Sequence, residues 1–287
     1  PSRNKLFLSY PNTVSNTDTM IEALQYGFFR NAIAGSLLTA IVCGLLGSYV
    51  VARRMVFVSG GITHASFGGI GLGLYLGINP FLSAAVFAVL SALGVQGVTR
   101  AGLLREDSAI AAFWSLGMAL GTLFIALTPG YSTGLSSFLF GNILLVSHTD
   151  LLLLALMALV MIAVFVFGYR TILYTAFDPD FASTRGIRVH LVEMLMSVAV
   201  AVGIVLSIRL VGIMLLMSLL TLPQSIMNLF TSRFSSILFG SVILAALAAF
   251  TGLWGSYSLG IPSGAFIILV LAALFLLAKT IKSFVHA

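Results

Sequence analysis

The stretch Val56-Phe-Val-Ser-Gly-Gly-Ile-Thr-His-Ala-Ser-Phe-Gly-Gly-Ile-Gly-Leu-Gly-Leu-Tyr-Leu76 decides how the chain must fold. It is long enough to cross about 30 Å of hydrocarbon as a helix, at about 1.5 Å per residue. Yet it is rich in glycine and hydroxyl groups and carries an imidazole, His64, near its middle. Such a segment cannot face lipid, because an ionisable side chain at membrane depth is costly and marks a functional position by default. It must therefore be wrapped by other spanning segments. On a helix, Gly60, His64 and Gly68 follow one another at intervals of four and share a face. Gly61, Ala65, Gly69 and Gly73 form the stripe beside it. No bulky residue of the same helix lies one turn above or below the imidazole, so that side has room for a close-packed helix or for something that passes.

The wrapping segments are present. Apolar runs of spanning length recur at about 28–51, 80–99, 108–128, 150–169, 190–208, 210–229, 236–256 and 262–281. The chain is 60% hydrophobic and 8% charged, where a soluble domain carries about 25% charged residues. Its mean hydropathy is +1.13. An all-α, polytopic membrane protein of about eight to nine spans follows, with one transmembrane domain over 25–282 and a polar segment over 1–24. The first 20 or so residues lack a basic region followed by an apolar core, so no signal peptide is expected. Segment 130–148, short and rich in Gly and Ser, reads as re-entrant or interfacial.

The net charge of +6 does not imply a nucleic-acid partner. The basic residues sit in ones and twos at the ends of apolar runs: Arg53-Arg54, Arg100 with Arg105, Arg170, Arg185 with Arg188, Arg233, and Lys279 with Lys282. That distribution is the positive-inside pattern. Placing these groups in the cytoplasm gives nine crossings with the N-terminal end outside, or eight if 190–229 or 56–99 is not two full spans. The lone cysteine, Cys43, permits no intrachain disulfide.

Several chemistries are missing. No Gly-x-x-x-x-Gly-Lys-Ser/Thr loop exists, the lysines being Lys5, Lys279 and Lys282, so this chain binds no ATP by a P-loop. It has no His-Glu-x-x-His and no paired-aspartate magnesium motif. Ser-Gly pairs in Tyr131–Gly134 and Ile261–Gly264 could supply a nucleophile for an intramembrane hydrolase, but such pairs are common helix-packing contacts. A stand-alone secondary transporter or channel is the other competing class. Among single residues, Arg209 reads as an interfacial anchor. Glu193 reads as a helix cap or a partner of Arg188, and His148 and Asp150 as interfacial. Glu106-Asp107 reads as a cap. Met194, Met196, Met214 and Met217 could act as soft ligands, though methionine on membrane helices is ordinarily packing.

Thr175 to Gly186 stands apart, with two of only eight acidic residues. Asp178-Pro179 is a helix start, aspartate capping and proline at the first position. Gly186 is a stop. The predicted product is a helix of about two turns over 176–187, in a loop between spans: either a docking element or an ordinary structured loop.

Taken in order, Gly47-Ser-Tyr-Val-Val-Ala-Arg-Arg54, Gly60–Gly69, Arg105-Glu-Asp-Ser-Ala-Ile110, Phe138-Leu-Phe-Gly-Asn-Ile-Leu-Leu-Val-Ser147, Phe177-Asp-Pro-Asp-Phe-Ala182 to Gly186, Arg209-Leu-Val-Gly212 to Leu222-Pro223, and Leu259-Gly-Ile-Pro-Ser-Gly-Ala265 resemble the permease subunits of bacterial ABC-type importers of zinc, manganese or iron. The resemblance spans about residues 25–280. It implies a homodimeric permease in the bacterial cytoplasmic membrane, driven by separate ATPase subunits and fed by an extracytoplasmic metal-binding protein. The transported metal would be substrate, with ATP used by the partner and no cofactor held by this chain. It identifies the 176–187 helix as the coupling helix, with Phe177, Asp178, Pro179, Asp180, Phe181 and Gly186 its contact and boundary residues. It puts His64, Thr63 and Gly60 on the metal path. In that family the motif around the histidine reads Asp-x-x-Ser-His-Ala. Here Thr63 keeps the hydroxyl and Gly60 replaces the aspartate; Gly260 likewise replaces an aspartate. A carboxylate one turn from an imidazole is sound chelate spacing, and this chain lacks it.

Overall fold

The computed structural model describes residues 25–129, 141 and 146–285. Those residues form ten helices and no strand. In chain order they are α1 (Gly27–Ala52), α2 (Val56–Leu76), α3 (Pro80–Arg100), α4 (Glu106–Leu127), α5 (His148–Phe167), α6 (Tyr169–Phe177), α7 (Pro179–Thr184), α8 (Val189–Phe230), α9 (Phe234–Leu259) and α10 (Ser263–Val285). The polar segment 1–24 and most of the 130–148 segment, including Tyr131–Gly134 and residues 138–140, lie outside the described residues.

Seven of these helices have the length and apolar character to cross a membrane. α2 is not among them, since its glycines and hydroxyls dilute its apolar content. Its place is inside the bundle, with 13 of its 21 residues buried.

α8 is 42 residues long, more than twice a span, and its backbone breaks at Gly212 (φ 72°, ψ 170°). Side-chain partners show which way each half runs. Glu193 meets Arg53, just past α1, and Arg100, the last residue of α3. Arg209 meets Asp150 at the start of α5 and lies over Phe81 at the start of α3. Residues 193 to 209 thus traverse the bundle, about 24 Å at 1.5 Å per residue. Beyond Gly212 the direction reverses. Leu210 lies at Gly35 and Leu220 at Gly47. Gln224 Nε2 donates to the Cys43 carbonyl at 3.1 Å, and Thr231 shares a cavity with Ala52. The second half runs alongside α1 back to the Arg53 end. The described helices therefore make nine passes, the upper of the two expected numbers. The break falls at Gly212 rather than at 209. The reversal needs φ/ψ values that are essentially restricted to glycine.

α1 and α8 form the centre, with most of each buried, while α4 and α10 are largely outward-facing. Lipid tails are as apolar as leucine, so close packing rather than water exclusion holds such helices together. The seam between α2 and α4 shows how. A Cβ on Gly117 would lie 2.8 Å from the Ala65 carbonyl oxygen. On Gly121 it would lie 2.7 Å from that of Phe67. On α2's other side, Gly69 presses on Ser83 and Ala84, and Gly73 on Pro80 of α3. The glycine stripes thus serve backbone-to-backbone contact on two sides of α2.

The predicted 176–187 helix is shorter than expected. Asp178 caps α7, accepting from the Phe181 N–H at 2.9 Å, and Pro179 is the first helical residue. α7 is only six residues, preceded by the nine-residue α6. Arg185 is its C-cap, and Gly186 follows at φ 76°.

Candidate functional site

His64 lies midway along α2, half-buried. Its ring stacks on Trp114 of α4, centroids 4.2 Å apart and planes within 9°. The room beside the imidazole is thus occupied by an indole from the neighbouring helix. Nδ1 is buried and has no hydrogen-bond partner. Leaving such an atom unsatisfied costs about 1–3 kcal/mol, so a ligand there would relieve a standing deficit.

The preceding turn completes the surroundings. The Thr63 hydroxyl donates to the Ser59 carbonyl at 2.6 Å, the expected helix back-bond. It also lies 3.7 Å from Met217 Sδ of α8's second half. Gly60 opens toward the same methionine: a Cβ there would sit 3.3 Å from Met217 Cε and 3.8 Å from the Trp114 ring. Of the four methionines weighed as soft ligands, Met217 therefore reaches the histidine's turn. Met196 is core, and Met214 is 47% exposed. No cluster of three or more His, Cys, Asp or Glu residues occurs among the described residues. A closed, tightly holding metal centre built from those donors is not what these residues make. Gly260, the other position lacking a carboxylate, is the left-handed C-cap of α9 (φ 64°), with nothing within 4 Å of an added Cβ. It sits at the Asp150 end, where Tyr257 of the same last turn packs on Phe29 of α1, far from His64.

Two charged clusters close the ends of the bundle. At one end Glu193 is held by both Arg53 and Arg100, not by Arg188. Arg53 Nη1 also donates to the Thr175 carbonyl of α6 at 3.1 Å, so the cluster touches the segment that leads into α7. His190 pairs with Arg100, and Gln96 with Ser197. A cavity of about 260 Å³, lined by Arg53, Gln96, Glu106 and Glu193 together with Met55 and Val95, opens beside the cluster. The sequence carried a signal for this: Arg53, Arg100 and Glu193 all fall at span ends that alternation places on one side. At the other end Asp150, in the first turn of its span as expected, is buried within the protein. It closes a reciprocal capping box with Ser147 and binds Arg209 at 2.5 Å. Arg209 is thus a tie between α5, α8 and α3 rather than a lone anchor. Glu106 and Asp107 occupy the first turn of α4, where negative charge suits the helix dipole.

On the surface near α7, Phe181 (38% exposed) meets Tyr174 edge-on at 5.2 Å, and Arg185 lies over its ring. Phe177, 58% exposed, packs edge-on against Phe234 and lines a cavity of about 600 Å³ with Ser48, Ala52, Thr231 and Lys282. The two phenylalanines thus flank Asp178 on an exposed aromatic face at the Arg53 end.

An all-α bundle of nine passes around a buried, glycine-lined histidine helix is the architecture of a polytopic membrane permease. The chain belongs to the ABC 3 transport family, whose profile matches residues 25–282. It is 38% identical to the uncharacterized membrane protein slr2045 of Synechocystis sp., over 94% of this chain and 96% of that one. It is 31% identical to the manganese transport system membrane protein MntC of Listeria innocua, over 89% of this chain and 91% of that one. Among solved structures it superposes on PsaBC from Streptococcus pneumoniae in complex with Fab, with a TM-score of 0.82 and 29% identity, covering 91% of this chain and 95% of that one.

Proposed function

We propose that this chain is the membrane-spanning half of an ATP-driven importer of a divalent transition metal, zinc or manganese, with iron within the same chemistry. It works in the bacterial cytoplasmic membrane as a pair of identical subunits. Separate ATPase subunits drive it, and an extracytoplasmic metal-binding protein delivers the ion. The observation that carries the reading is the buried, unpartnered Nδ1 of His64 on a glycine-lined helix at mid-membrane depth. His64 is the metal-contacting residue. Thr63 sets its turn, and Gly60 leaves the space in front of it.

The surface next to His64 supports the paired arrangement. Along α8's second half, exposed Met214 and half-buried Met217, Ser218 and Thr221 follow one another at helical spacing. On α4, Trp114, Ser115 and Thr122 are also exposed. Their hydroxyls donate to carbonyls one turn back in their own helices, and a second copy on this face would enclose a passage lined by them and by the thioethers. At the Arg53 end, Phe177, Asp178, Pro179, Asp180 and Phe181, closed by Gly186, form the element on which the ATPase pushes. Arg53 links α6 to the Glu193 cluster and would pass that push to the spanning helices.

The deciding experiment is ATP-dependent uptake of zinc and manganese by proteoliposomes holding the chain with its ATPase. His64→Ala is expected to reduce uptake by at least about tenfold, equivalent to 1.4 kcal/mol, at unchanged protein yield. His64→Leu should block it further by filling the gap. Normal uptake per folded complex in both variants, with lowered thermal stability, would make the histidine a packing residue and end the path reading.

A further inference from the structure

We propose that the thioether of Met217 is the second metal-contacting group of the path, so that the site opposite His64 is a soft nitrogen–sulfur pair that favours zinc over manganese. The inference rests on the reading of His64 as a path residue and adds a donor and a selectivity to it.

Three observations converge on Met217. Its sulfur lies 3.7 Å from the Thr63 hydroxyl, next to His64 in the chain. Its methyl reaches into the opening that Gly60 leaves one turn before His64, within 3.3 Å of where a Cβ would be. Trp114 closes the same opening from the other side, 3.8 Å from that point, and holds the imidazole flat against itself. The imidazole has one stacked face and a buried Nδ1 without a partner. Met217 thus reaches the turn that carries His64 from α8, and no group of three or more His, Cys, Asp or Glu occurs among the described residues.

Chemistry then sets the preference. Manganese is best served by carboxylate, carbonyl and water oxygens, whereas thioether and imidazole suit softer ions, with zinc served by both. Two protein donors are too few for a storage site, in which zinc is four-coordinate. They suit a transit site, which must bind strongly enough to admit an ion and weakly enough to release it. Methionine also brings three rotatable bonds, so Sδ can swing toward the ion from its present place at Thr63 without moving a helix.

The test uses the full-length chain purified in detergent and dialysed to equilibrium against zinc(II) or manganese(II), with the metal retained inside the dialysis bag above the buffer level measured by mass spectrometry. Four forms are compared: wild type, Met217→Leu, His64→Ala and the double variant. Leucine conserves volume, so the fold is expected to be unchanged, and a thermal melt checks this. Wild type should retain zinc at least about tenfold better than manganese, and Met217→Leu should lower zinc retention by about that factor with manganese unchanged. X-ray absorption at the zinc edge should show a sulfur scatterer in the first coordination shell in wild type and none in Met217→Leu. Equal zinc retention in wild type and Met217→Leu, or the same absorption spectrum, would remove the sulfur from the path while leaving His64 in place. Equal retention in wild type and His64→Ala would remove both. If Met217→Leu melts early, Met217→Gln supplies an oxygen-bearing variant in its place. It should shift retention toward manganese, and a ratio unchanged from wild type would overturn the proposal.

Discussion

Alanine at Gly117 should destabilise the permease, although alanine elsewhere in a helix does the opposite. Gly→Ala in a helix interior normally stabilises by about 0.5–1 kcal/mol, because glycine loses more backbone freedom on folding. At Gly117 the added methyl would meet the Ala65 carbonyl oxygen at 2.8 Å and its carbonyl carbon at 3.0 Å. At Gly121 it would meet Phe67 oxygen at 2.7 Å and carbon at 2.9 Å. The Phe67 ring, 2.4 Å from an added Cβ at Gly121, could turn aside, but the carbonyl groups at both positions are backbone, so α4 must separate from α2. Overpacking of this kind costs about 1–3 kcal/mol. Net of the propensity gain, each substitution should lose about 1–2 kcal/mol. At about 2–4 °C per kcal/mol for a chain of this size, the melting temperature should fall by about 2–8 °C. Gly97→Ala is the control: Gly97 lies in α3, is exposed, and has nothing within 4 Å of an added Cβ. It should leave the melt unchanged or raise it slightly. The double variant Gly117→Ala with Gly121→Ala should fall by less than the sum, because the first separation makes room for the second methyl. The assay is a detergent thermal melt of purified protein, read beside tryptophan fluorescence, since α4 carries the indole that lies on His64. If Gly117→Ala melts at or above wild type, the seam is not limited by backbone contact and the account of the glycine stripes fails.

Two further outcomes follow from the fold and the proposed docking face. Gly212→Ala asks a residue with a Cβ to adopt φ 72°, ψ 170°, a strain of about 1–3 kcal/mol. Loss of the reversal should appear as lower yield of folded protein and as altered labelling of a cysteine placed at Thr231, in a Cys43→Ser background; normal yield and labelling would refute it. Phe181→Arg removes an exposed aromatic whose ring meets Tyr174 and Arg185 among the described residues, so the permease should fold and melt as wild type. Co-purification of the ATPase, or coupling of its hydrolysis to uptake, should be lost, and unchanged uptake would sink the docking role.

Much of this molecule was legible in the chain before it folded, and the reason is the bilayer. Each span must satisfy its own backbone and present about 20 apolar residues, so run lengths and basic ends largely determine where helices start and stop. α1, α2, α3 and α9 begin and end within a few residues of their runs. Capping chemistry is equally local, so Asp178-Pro179 marked the start of α7. His64 stood out because an imidazole at that depth has no bland surroundings to hide in. What the chain alone could not decide is what each face meets, since that depends on helices far apart in the sequence, as with the 154 positions between Thr63 and Met217. The glycines around His64 could equally have lined an open channel; Gly117 and Gly121 of α4 make several of them a seam, and Trp114 covers one face of the imidazole. Glu193 had Arg188 five residues away, yet its partners are Arg53 and Arg100, brought to one level by two other spans. Asp150 stands at a span start in the sequence, but its burial and its pairing depend on Arg209, from the far end of α8's first half. Met217 was one methionine among several, and only the return of the chain at Gly212 carries its sulfur to the turn of His64.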